Sequence, residues 1–274
     1  MPYPVTKRTA FDLESSRTAL LVVDMQNDFV RVGAPLEVPD ARATIPTTQR
    51  LIAFARDQGM PVIYTRFLAG PEYTLLWEWS PVVGPETKCC WKGHYRYYED
   101  IGREVDGSDV IDELYPQPGD GIVEKYGYNA FFGTNMLDML RAHHRDMIIV
   151  AGTVTQICVE DTVRGAFHYG IRAVVASDAV SSFDDELHRV ALRGIDMKYG
   201  RVLDVVRAGF LHGRTLVPAA VLGELQGLAD AGDDLRRARG RRGLDVLKAL
   251  RREPGIDLQT LDADVPEVPD VDAK

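Results

Sequence analysis

Three side chains in this sequence carry chemistry that their surroundings would favour. Cys158 lies in GTVTQICVEDT (152–162), between the apolar run MIIV (147–150) and an amphipathic pattern that continues through VRGAFHYG. A thiol at the exit of a buried strand and the start of a helix has its thiolate stabilised by the helix dipole and by any neighbouring cation. Asp24 closes the apolar segment TALLVVD (18–24) and Lys125 closes GIVEK (121–125). Lysine can supply the cation, and aspartate can take the thiol proton and return it to a leaving amine. Backbone N–H groups around the cysteine turn would hold the oxyanion of a tetrahedral intermediate. Each residue alone has a plainer explanation: a helix cap, a solvated surface group, a small buried hydrophobe. Spacing alone does not bring the three together.

Bringing them together needs a scaffold that puts strand ends on one edge. Short apolar segments alternate with helical patterns: TALLVVD, PVIYTRF (61–67), GIVEK, MIIVAG (147–152), IRAVVASD (171–178) and RVLDVV (201–206). Helices are expected over 44–60 with Gly59 as the stop, over 134–144 with Thr134 as N-cap, over 158–170 closed by Gly170, and over 183–200 with acidic residues in the first turn. Continuous apolar strands alternating with helices imply an α/β fold, a parallel sheet covered on both faces. Such sheets bind ligands at the carboxyl ends of their strands.

Residues 68–120 break this rhythm. AGPEYTLLWEWSPVVGPETKCCWKGHYRYYEDIG is rich in aromatics, glycine and proline and reads as an insertion, either a lid over the site or irregular packing at a surface or subunit contact. The expected organisation is one domain over 1–213 and an extension over 214–274. The extension would be helical over VPAAVLGELQGLADAG and the basic DDLRRARGRRGLDVLKALRR, then an exposed acidic tail from Asp257.

The chain has 274 residues, of which 45% are hydrophobic and 27% charged, with a net charge of −9. That balance fits a globular protein and disfavours nucleic acid or an anionic membrane as partner. No apolar run is long enough to span a bilayer, and MPYPVTKRTAFDLESSRT lacks a signal-peptide core, so a cytoplasmic location is expected. Three cysteines (Cys89, Cys90 and Cys158) are too few and too odd for a disulfide framework. There is no Cys-x-x-Cys pair, and His143-His144 has no zinc-like partner spacing; neither a metal nor a cofactor is expected.

Three stretches together resemble the isochorismatase-like cysteine hydrolases: ALLVVDMQNDFV (19–30), EKYGYNAFFGTNMLDMLR (124–141) and IIVAGTVTQICVEDTVRGAFHYGIRAVVASDAVSSF (148–183). They occur in the family's order and span about residues 15–210, with the Gly-x-x-Thr-x-x-Cys-Val core as the most specific piece. The resemblance implies a three-layer αβα fold with a six-stranded parallel sheet of order 3-2-1-4-5-6. It implies a catalytic triad of Asp24, Lys125 and Cys158, a non-proline cis peptide before Val154, and an oxyanion hole built from the N–H groups of Val154 and Cys158. It also implies a thioester route and a homo-oligomer, dimer or tetramer.

Within the family, nicotinamidases carry an Asp-x-His metal motif after the second strand, whereas here YTRFLAGPEYT holds no histidine and His94 stands alone. Isochorismatases proper cleave a vinyl ether and typically have another residue at the cysteine position. The expected activity is therefore metal-independent hydrolysis of a small linear amide, carbamoyl or ureido compound. The segment YNAFFGT resembles the N-carbamoylsarcosine and ureidoacrylate branches. Candidate substrate-binding residues are Gln26, Phe29, Tyr128, Asn129, Phe131 and Thr155, with Arg66, Trp77, Trp79, Trp91, Arg96 and Tyr97 as further recognition candidates. A binding protein acting through its extension, or a redox sensor pairing Cys158 with Cys89 or Cys90, would not need Asp24 and Lys125.

Overall fold

The computed structural model describes residues 13–205 and two further strands, Gly213–Pro218 and Ile256–Leu261. The chain divides into two units, Met1–Ala208 and Gly209–Lys274.

Six strands of the first unit form one parallel sheet: β1 (Thr18–Val23), β2 (Val62–Phe67), β5 (Gly121–Lys125), β6 (Met147–Thr153), β7 (Arg172–Ser181) and β8 (Arg201–Leu203). Their spatial order is β5-β2-β1-β6-β7-β8. Counting only these six in chain order, this is 3-2-1-4-5-6, the αβα topology that the sequence implied. The chain reverses direction of progress between β1 and β6, and a crevice opens at such a switch point beyond the strand ends. Every residue of β1 and β6 is buried, which explains why both read as unbroken apolar runs rather than alternating ones.

Helices α2 (Ala41–Asp57), α4 (Met136–Ala142), α5 (Glu160–His168) and α6 (Asp185–Lys198) connect the strands. Between β2 and β5 lie α3 (Leu76–Trp79) and an antiparallel hairpin of β3 (Tyr95–Tyr98) and β4 (Arg103–Asp106), so the insertion carries structure of its own. Helix α6 is capped by Asp184, whose carboxylate accepts the Leu187 N–H at 2.8 Å. Helix α4 starts two residues later than Thr134, whose hydroxyl instead accepts the Met136 N–H at 3.2 Å. The core on one side of the sheet joins Leu21, Val23, Ile148 and Val150 to Phe131, Val163 and Ile195. Each such side chain contributes about 1.5–3 kcal/mol by leaving water.

Gly152 is required where β6 meets β1. Its φ is +115°, and a Cβ there would stand 2.0 Å from the Val23 carbonyl oxygen. Only a residue without a side chain lets the two strand ends close at this point.

In the second unit, β9 (Gly213–Pro218) and β10 (Ile256–Leu261) pair in parallel, with Ile256 opposite Gly213. Residues 257–261 of the stretch expected as a tail therefore lie in a strand. Ile-Asp-Leu-Gln-Thr-Leu has a two-residue alternation that the acidic composition of the whole stretch conceals. The helices expected over 217–252 fall otherwise outside the described residues.

Candidate active site

Asp24 is the first residue beyond β1 and adopts φ +48°, a left-handed conformation that aspartate tolerates better than most residues. Thr65 of β2 locks it there. Its hydroxyl accepts the Asp24 N–H at 3.1 Å and donates to Asp24 Oδ1 at 2.6 Å. Lys125 ends β5, which is separated from β1 by β2. Its side chain spans the end of β2, with Nζ 5.1 Å from the centre of the Phe67 ring. Nζ lies 2.7 Å from Asp24 Oδ2, 3.4 Å from Cys158 Sγ and 3.0 Å from the Gly127 carbonyl oxygen. A long side chain is needed for that reach, since neighbouring strands are about 4.8 Å apart.

Cys158 sits in a π-helical turn, Thr155–Val159, which runs into α5. The expected helix thus begins earlier and wider than its periodicity suggested. Val159 N–H reaches back five residues to the Val154 carbonyl at 3.2 Å. The Thr153–Val154 peptide bond is cis. Thr155, at the head of the turn, donates to the Ser181 carbonyl at 2.9 Å, and His188 Nδ1 lies 2.9 Å from the same hydroxyl. The end of β7 and helix α6 therefore hold the turn that carries the thiol.

Asp24 and Lys125 have no exposed surface, and Cys158 has almost none. Burial opposes the charge on Lys125, but Asp24 and Cys158 outweigh it and hold the ammonium above its ordinary range. Burial pushes the Cys158 thiol well above its usual value; Lys125 pulls it down and Asp24 pushes it up again. Of these effects desolvation is the largest, ahead of the cation. Lys125 Nζ thus reaches Asp24 Oδ2 at 2.7 Å, Cys158 Sγ at 3.4 Å and the Gly127 carbonyl at 3.0 Å from one position. A buried carboxylate and a buried thiol that share one ammonium are placed to exchange a proton.

Cys158 opens into a cavity of about 340 Å³. Phe29, Phe67 and Tyr128 form an aromatic row along it, with ring centres 6.3 Å and 6.1 Å apart. Val154 and Ile157 border the thiol, Leu76, Ser80 and Val83 come from the insertion, and Leu36, Glu37 and Phe183 complete the rim. The insertion thus supplies a wall of the cavity.

Of the expected substrate-binding residues, Phe29 and Tyr128 line the cavity. The other four are not among the residues lining it. Gln26 bonds both backbone groups of Phe67, at 2.7 and 2.9 Å, and the Ser108 carbonyl at 2.8 Å. Asn129 donates to the Asp161 carbonyl at 3.1 Å and accepts the Phe131 N–H at 2.8 Å, securing the segment beside Tyr128 to α5. Phe131 is in the core against Tyr169, and Thr155 is occupied as described above. Among the insertion candidates, Arg66 is paired with Asp109 at 3.0 Å and with Glu124, and Arg96 with Asp28 at 3.0 Å. Trp77 stacks on Trp91 at 5.4 Å, while Trp79 and Tyr97 are exposed; none of the six lines the cavity.

Among the described residues, one group could ligate a metal ion: Asp28 with Cys89 and Cys90, all buried. Its carboxylate is already taken up by the Cys90 N–H at 2.6 Å, Arg96 at 3.0 Å and the Tyr98 hydroxyl, so it functions as a hub for the insertion. Cys89 and Cys90 face each other at 3.7 Å and do not border the Cys158 cavity.

This fold, with an aspartate, a lysine and a cysteine gathered at its strand ends, is that of an αβα hydrolase of the isochorismatase-like class. Residues 18–206 match the isochorismatase domain, and the chain belongs to that family. It is 30% identical over 219 residues to the ureidoacrylate amidohydrolase RutB of Agrobacterium fabrum, covering 74% of this chain and 91% of the relative. A cysteine hydrolase from Pseudomonas syringae pv. phaseolicola superposes with a TM-score of 0.62 at 29% identity, over 74% of this chain and 94% of that one. N-carbamoylsarcosine amidase from Thermoplasma acidophilum gives a TM-score of 0.56 at 30% identity, over 69% and 96%. Among the described residues no helix is long and apolar enough to cross a membrane.

Proposed function

We propose that this protein is a metal-independent cysteine amidohydrolase that cleaves the C–N bond of a small linear amide, carbamoyl or ureido compound. The observation that carries the reading is one ammonium, Lys125 Nζ, within reach of both Asp24 Oδ2 and Cys158 Sγ at the base of a cavity. The amidohydrolase and amidase relatives support it.

Cys158 enters as a thiol. As sulfur attacks the planar carbonyl carbon, its proton passes to Asp24 Oδ2, and the carbonyl electrons move onto oxygen. The N–H groups of Val154 and Cys158 stabilise that oxyanion, and Lys125 balances the charge that shifts between sulfur and carboxylate. When the intermediate collapses, the C–N bond breaks and Asp24 protonates the departing nitrogen, leaving a thioester. Water then adds with Asp24 again as base, the C–S bond breaks, and sulfur recovers its proton. Deprotonation at the moment of attack is consistent with a thiol raised by burial.

An ammonia-release screen over small amides, carbamoyl compounds and ureido compounds tests this. Cys158→Ala and Asp24→Asn should each abolish release while circular dichroism stays unchanged. Turnover retained in either folded variant refutes the mechanism.

A further inference from the structure

The cavity is poorly suited to an anion. Its walls are aromatic and aliphatic, and the one charged residue lining it, among those described, is Glu37. Glu37 is fixed in place: its Oε2 accepts the Gly33 N–H at 2.9 Å and its Oε1 lies 2.8 Å from Arg42 Nη2. The Gly33 N–H first and then Arg42 hold its carboxyl below the ordinary range, so it is ionised at neutral pH. Arg42 is spent on this pair and on the Val30 carbonyl at 2.8 Å. The other cations around the site are engaged too: Lys125 with Asp24, Arg66 with Asp109, Arg96 with Asp28. A substrate carboxylate entering here would lose water, meet a fixed negative charge and find no guanidinium to fork onto.

We infer that the substrate is an uncharged amide or carbamoyl compound whose substituent is apolar, and that Glu37 with the aromatic row of Phe29, Phe67 and Tyr128 selects against carboxylate-bearing compounds. This rests on the hydrolase reading of Cys158. It separates the chain from relatives named for ureidoacrylate, which carries a carboxylate. The apolar tail packs along the aromatic row while its carbonyl faces Val154 and Cys158, and the rim residue Phe183 covers the outer end.

Three primary amides of equal length test it: hexanamide, 6-aminohexanamide and adipamate. Ammonia release by the wild type should favour hexanamide over adipamate in kcat/KM by at least ~100-fold, the scale of an unpaired charge in an apolar site. Glu37→Gln, which keeps a polar group of the same shape for Gly33, should narrow that ratio by roughly tenfold. Calorimetric binding of the three amides to Cys158→Ala reads the same preference without turnover. Hexanamide binding there while the wild type releases no ammonia would refute the hydrolase reading and support the selectivity. Adipamate bound or turned over as well as hexanamide, no detectable binding of hexanamide, or an unchanged ratio in Glu37→Gln overturns the inference.

Discussion

Lys125 Nζ lies 2.7 Å from Asp24 Oδ2 in a place where neither side chain touches solvent. Buried without water, each side chain has the other as its counter-charge, and losing one strands the other. Lys125→Met should therefore cost about 3–5 kcal/mol in stability, because the Asp24 carboxylate is left without a counter-charge. Adding Asp24→Asn should restore much of that loss, since neither charge then remains. Urea unfolding of the wild type, single and double variants measures both. Ammonia release should be absent from all three variants, so stability and catalysis separate in the double variant.

Cys158 is expected to remain a thiol in the free protein. Its ultraviolet thiolate absorbance, taken as the difference between wild type and Cys158→Ser, should show no step between about pH 6 and 9. Alkylation by iodoacetamide should be slow for the same reason. A step near neutrality would mean that Lys125 outweighs burial, reversing the order of effects given above.

Thr65 both accepts from the Asp24 backbone and donates to its carboxylate. Thr65→Val should cost about 1–3 kcal/mol, leaving a buried donor and a buried acceptor unmet. It should also lower kcat by up to about 100-fold, because the carboxylate is no longer aimed. Thr65→Ser keeps the hydroxyl and should recover most of the rate, whereas Val cannot. Equal rates in Val and Ser would remove Thr65 from the positioning of Asp24.

His188 gives a pH dependence with a definite sign. Burial lowers its pKa, with Asp185 and Asp40 opposing. A group with a depressed folded pKa is protonated first in the unfolded chain. Its stabilising contribution is complete above the unfolded value of about 6.5 and is lost as pH falls through the folded value. Denaturation midpoints followed from about pH 7.5 down to about pH 5 should therefore fall less steeply in His188→Gln than in the wild type. Parallel slopes would show that protonation of His188 does not load the Thr155 contact.

Much of the architecture was legible in the sequence. All six sheet strands coincide with the segments read from the sequence; β1 and β6, buried throughout, cannot conceal their composition, while the edge strands β5 and β8 are only partly buried. Asp24, Lys125 and Cys158 stood out because each lies at a strand end or shortly past one. The pocket was far less legible. Gln26, Asn129 and Thr155 were expected to touch substrate, yet their hydrogen-bonding groups are used on Phe67, Asp161 and Ser181. Leu76, Val83 and Phe183 went unnoticed, because an apolar residue facing a cavity has the same identity as one facing the core. Thr65 could have been found as a polar residue inside the apolar strand PVIYTRF, two positions before its end.

What the sequence by itself determined is the alternation that builds a parallel sheet and the three reactive side chains at its edge. Both follow from local facts, hydrophobic run lengths and residue types. The tertiary structure decided whether those side chains meet, which residues wall the cavity, and how strongly burial opposes a thiolate at Cys158. The reason is physical: contact between strand ends depends on sheet order. The protonation of Cys158 depends on how desolvation compares with one ammonium 3.4 Å away, a comparison that exists only once the chain has closed around both.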